Sequence, residues 1–105
     1  MKKCIAAATL VVIATPTLAQ ERDSLITHMR DVACMKTAKV IGQIAKERDQ
    51  GVPMIEQFRR IDSGVGTQQS KVDLKKRIAR VYGVPAMKAD TAMATTYADC
   101  MDRSK

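Results

Sequence analysis

Residues 21–50 hold no proline and a single glycine, Gly42, and their apolar positions recur at intervals of three and four. Leu25, Ile26, Met29, Val32, Ala33, Val40, Ile41 and Ile44 follow the 3.6-residue period of an amphipathic helix, not the two-residue period of a strand. A helix of this length takes up so much of a short chain that the rest must pack around it. At 100° per residue these apolar positions form one broad stripe, with Cys34, Ala38 and Ala45 at its edge beside Ile41. Small residues along that edge let another helix approach closely. Gly51 and Val52-Pro53 end the segment, since glycine accommodates the turn after a helix and proline cannot continue one.

Three shorter helices are predicted downstream. Pro53 suits the first position of a helix over 53–62, with Met54, Ile55, Phe58 and Ile61 on its apolar face. Gly64-Val65-Gly66-Thr67-Gln68-Gln69 has no periodicity and reads as a loop. Ser70 is the expected N-cap of a helix over 71–82, with Asp73 three residues on as a shortened capping box. After the Val84-Pro85 turn, Ala94, Tyr97, Ala98 and Met101 give helical spacing to residues 86–102. No run alternates like a strand, so the fold class is all-α, a small bundle of about four helices.

The N-terminus sets the expected compartment. Lys2 and Lys3 precede an apolar run from Cys4 to Ala14, and Thr17-Leu18-Ala19 ends in a small residue. This is the pattern of a cleaved signal peptide over residues 1–19, followed by a single helical domain over 20–105. The run is roughly 11 residues against the ~20 that span hydrocarbon, so no permanent membrane insertion is expected. The localisation implied is periplasmic, with secretion as the variant. Without Lys2 and Lys3 the chain carries 16 basic and 11 acidic residues, a net +5.

Export bears on the cysteines. Beyond the leader two remain, Cys34 and Cys100. In an oxidising compartment an even pair reads as one intrachain bridge that staples the bundle, ahead of an intermolecular bridge or two free thiols. A loop of 66 residues closed in this way is worth about 4 kcal/mol in the chain-entropy account.

Catalytic and metal chemistry find few candidates. His28 is the single histidine, with Asp31 at i+3 and Ser24 at i−4, enough for a surface hydrogen bond. No His/Cys/Asp/Glu group has metal-ligand spacing, so no metal or cofactor is expected. Cys34 and Cys100 form no Cys-x-x-Cys pair, and Lys46-Glu47-Arg48-Asp49 reads as a solvated last turn of the first helix. The chain is therefore read as a non-enzyme. Aromatics make up 3% of the residues, too few to stack bases, and nucleic-acid binding is not expected. The six methionines beyond Met1 read as core filling, except Met35, which projects off the apolar stripe.

The strongest local bias is basic. Lys71, Lys75, Lys76, Arg77 and Arg80 lie within ten residues, opposed only by Asp73, and Arg59 and Arg60 extend the group. Such a surface recognises an acidic protein, anionic lipid or a cell-wall polymer by long-range attraction, or else is the solvated side of a bundle helix. The candidate partner is therefore another protein, acidic in character, with a homodimer through the first helix as the other expectation.

Cys34, the run Ile44-Ala45-x-x-Arg48-Asp49-x-Gly51, Tyr82-x-x-Pro85 and Tyr97-x-x-Cys100 together resemble small exported two-cysteine helical proteins of Gram-negative bacteria. The layout is similar to the periplasmic immunity proteins that neutralise cell-wall amidase toxins of type VI secretion, and more distantly to periplasmic acid-stress chaperones. The resemblance implies a protein that docks on and inhibits or buffers another protein. A stress chaperone is the alternative, and a small enzyme or envelope-polymer binder a third.

Overall fold

A computed structural model describes residues 18–103, with side chains from residue 20 onward. The expected leader lies outside the described residues, apart from Leu18 and Ala19, whose backbone belongs to the first turn of α1. The architecture is all-helical: α1 (Leu18–Asp49), α2 (Met54–Ser63), α3 (Gln68–Gly83) and α4 (Ala89–Arg103). No described helix is long and apolar enough to cross a membrane.

At 1.5 Å per residue the 32-residue α1 is about 48 Å long, roughly twice the length of α4. It ends in a Schellman arrangement: the Val52 N–H donates to the Glu47 carbonyl and the Gly51 N–H to that of Arg48, each at 3.0 Å. This needs the left-handed backbone that Gly51 supplies, at φ +94°.

The later helix starts differ from expectation. Pro53 is the N-cap of α2 and not its first helical residue. Helix α3 begins at Gln68 because Thr67 caps it, its hydroxyl accepting from the Ser70 N–H at 3.1 Å. Two hydroxyl residues three positions apart, Thr67 and Ser70, suit this role, and the earlier one lengthens the helix and shortens the loop. Helix α4 begins at Ala89, since the Met87 N–H closes a turn onto the Val84 carbonyl at 2.9 Å.

Ile41, Ile44, Ala45, Ile78, Val81 and Ala92 form the core, and Phe58, Ile61, Leu74, Tyr82 and Met87 pack around it. Helix α4 runs antiparallel to α1: Cys100 lies beside Cys34 and Met93 beside Gly42. Cys34, Ala38 and Ala45 are buried, so the helices meet along the edge of small residues. At Gly42 the contact leaves no room for a side chain, since an added Cβ would lie 2.3 Å from Met93 Cγ. The Cys34–Cys100 disulfide closes this contact across a Cα separation of 5.6 Å.

The broad stripe expected on α1 divides in two. Ile41 and Ile44 enter the core, whereas Leu25, Ile26, Met29, Val32 and Val40 are exposed. On the helical wheel Leu25, Met29 and Val32 lie opposite Cys34, Ala38 and Ala45. The N-terminal half of α1 thus projects with its apolar side turned away from the body.

Candidate partner-binding surface

The seven basic residues do not make one face. Successive positions on α3 rotate by 100°, so Leu74, Ile78 and Val81 occupy the core direction with basic residues on both flanks and on the back. Lys71 and Lys75 lie on the α2 flank. The Lys71 Nζ donates to the Asp62 carbonyl at 3.1 Å, and Lys75 pairs with the Asp62 carboxylate while its Nζ stands 5.9 Å from the centre of the Phe58 ring. Arg77 lies on the opposite flank, its side chain only 13% exposed, and pairs with Asp99 of α4 at 2.9 Å. It does not face away from the core, as a single basic face requires. Of the five basic residues on α3, only Lys76 and Arg80 lie on its exposed back. On α2, Arg59 pairs with Glu56 at 3.1 Å and Arg60 with Glu47 of α1.

The end of α1 is not the solvated turn the sequence suggested. The Arg48 side chain is 7% exposed and its guanidinium donates to three carbonyls: Val81 at 2.7 Å, Val84 at 3.1 Å and Met87 at 2.5 Å. These are acceptors at the end of α3 and in the following turn, where the regular i to i+4 bonding of the helix has stopped and only turn bonds, Val84 N–H to Val81 and Met87 N–H to Val84, share them. Asp49 holds the same guanidinium from the other side at 3.0 Å. Glu47 accepts from Gln57, itself buried, at 3.1 Å, and from Arg60. The Gln57 and Arg60 hydrogen bonds draw its pKa below the usual 4.5 against the opposing effect of burial. Tyr82, from the Tyr-x-x-Pro motif, donates its hydroxyl to the Val52 carbonyl at 2.5 Å. These residues join elements. The signal for Arg48 is its position, three after Ala45 and seven after Ile41, on the core side of the helix.

His28 lies in a shallow depression with Asp23, Ser24, Thr27, Asp31, Tyr97 and Met101. The Asp31 carboxylate accepts from the Tyr97 hydroxyl, which raises the tyrosine's pKa because the neutral phenol is the donor. A second groove of about 270 Å³ runs between α1 and α4, lined by Met35, Ala38, Asp90, Met93, Ala94 and Tyr97. Met35, the methionine that left the apolar stripe, forms part of its wall. Among the described residues no three His, Cys, Asp or Glu side chains converge to hold a metal.

Among the described residues, four exposed large apolar side chains follow one another on the projecting half of α1. Leu25 is 58% exposed, Ile26 46%, Met29 62% and Val32 40%. The residues toward α4 at the same height, Asp23, Ser24, Thr27 and Asp31, are polar. A helix folded only for its own bundle has the reverse arrangement. No protein family, curated protein or solved structure matches the chain.

Proposed function

We propose that the chain is an exported, non-enzymatic binding protein that docks on another protein and inhibits or buffers it. The observation that carries this reading is the outward apolar stripe of Leu25, Ile26, Met29 and Val32 on a helix anchored at its other end. Contiguous exposed apolar surface mainly marks places where something else binds. The disulfide and the Arg48 contacts hold the body, so the stripe is presented from a fixed base. Lys76 and Arg80 contribute charge that steers an acidic partner without forming the docking face.

A photo-crosslinking amino acid at Met29, and separately at Lys76, tests the reading in cells of the source organism. A discrete adduct with a second protein at Met29, weaker or absent at Lys76, is expected. No protein adduct at Met29 would refute it. The second reading, a chaperone that loosens in acid, is favoured by one observation: Glu47, whose carboxylate must stay ionised for its bond to Arg60, ties α1 to α2. Retention of native near-ultraviolet dichroism and of the Met29 adduct at about pH 3 would remove that alternative.

A further inference from the structure

The outward side of α1 has a register as well as an apolar character. Arg22, Leu25, Met29, Val32 and Lys36 succeed one another at intervals of three, four, three and four, and all five are exposed. That alternation is the seam of a two-helix coiled coil. Its apolar middle is bracketed by two cations fourteen residues apart, a separation of about 21 Å along the helix. Ile26 and Ala33 widen the apolar strip on one side, and Lys39 adds a further exposed cation on the other. Among the described residues no ion pair engages Arg22 or Lys36.

We propose that the projecting half of α1 pairs with an amphipathic helix of another protein, one that carries two acidic side chains two heptads apart opposite Arg22 and Lys36, with apolar residues between them. This rests on the protein-binding reading above and specifies its partner. Charged residues on a seam set register and partner choice, and here both are positive. A second copy of the chain fits poorly for that reason. Parallel pairing sets Arg22 against Arg22, and antiparallel pairing about Met29 sets Arg22 near Lys36. A membrane surface is the weaker match because the strip is narrow and carries no aromatic residue. Phe58, Tyr82 and Tyr97 lie elsewhere, whereas helices that lie on lipid favour Trp and Phe.

The test uses the whole protein and two synthetic helical peptides of about 28 residues, four heptads. They share leucine and isoleucine seams and differ only at two seam positions fourteen apart, glutamate in one and lysine in the other. Fluorescence anisotropy is expected to give at least about tenfold tighter binding of the glutamate peptide, a difference of about 1.4 kcal/mol. The R22E/K36E variant should reverse the preference. Met29→Asp should abolish binding of both while leaving the melting temperature unchanged, since Met29 makes no core contact. Equal binding of the two peptides, or binding unaffected by Met29→Asp, would overturn the proposal. Tighter association with phosphatidylglycerol vesicles, or dimerisation of the protein alone in sedimentation equilibrium, would overturn it in favour of lipid or of a second copy. An adduct with another protein at Met29 alongside equal peptide binding sinks the acidic helix alone; loss of the adduct sinks the binding reading itself.

Discussion

Three carbonyls from the end of α3 and the turn after it converge on the guanidinium of Arg48. Replacing Arg48 with alanine leaves them facing a space that was filled by a charged donor, and should cost about 3 kcal/mol. Lysine should recover little, because one compact ammonium cannot span three acceptors as a planar fork does. Urea unfolding should show a lower midpoint for both variants at unchanged slope. Glu47 gives a pH dependence of definite sign. Its pKa is lower in the folded protein, so the native state binds fewer protons than the unfolded one near that pH. The contribution is present above about pH 4.5 and is lost as pH falls through the native value. Stability of the wild type should decline over that acid range, and Glu47→Gln should flatten the decline, as measured by thermal melts across the series. In the sequence both residues belong to a mixed-charge helix end that reads as solvated, because a charged turn looks alike whether water or carbonyl oxygens surround it.

At the scale of the element, Gly42 separates two opposing effects. Alanine inside a helix is ordinarily worth up to about 1 kcal/mol over glycine. Here the added Cβ would collide with Met93 Cγ and Sδ. Gly42→Ala should therefore destabilise by about 1–3 kcal/mol, as overpacked contacts do. Combining it with Met93→Ala should remove the clash, and chemical denaturation of both singles and the double would separate the terms. The element plan was legible in the sequence: four helices, their order, the Gly51 stop and the small-residue edge near Cys34. What escaped was rotation. Leu25, Met29 and Val32 obey the same period as Ile41 and Ile44, so they merge into one stripe on paper. Periodicity says which residues share a side, whereas which side is covered depends on where α4 lands. The basic residues of α3 failed similarly, since proximity in sequence spreads Lys75, Arg77 and Lys76 around the helix onto two flanks and the back.

The whole molecule depends on one covalent link between its longest helix and its last. Cys34 and Cys100 enclose α2, α3 and most of α4 in a 66-residue loop. Replacing both with alanine should lower stability by about 4 kcal/mol, measured by urea unfolding. Non-reducing mass spectrometry of the protein should find a mass two hydrogen atoms below the dithiol form. The two halves of α1 should respond independently: Met29→Asp should leave the melting temperature of the cysteine variant unchanged, because sites far apart without shared partners add.

That link also decides how the molecule bears load. If a bound partner pulls on the projecting half of α1 while the far end of α4 is held, tension passes from residue 33 into Cys34, across the sulfurs to Cys100 and out through residue 101. The core, the Arg48 clamp and both intervening helices hang to one side of that path and feel none of it. Between residues 18 and 103, only 18–33 and 101–103 can be drawn out, however hard the pull, until the bond is reduced. Stretched between those points in optical tweezers, the oxidised protein should yield a short extension of roughly 3.5 Å for each of those residues, and a far longer one after a thiol is added.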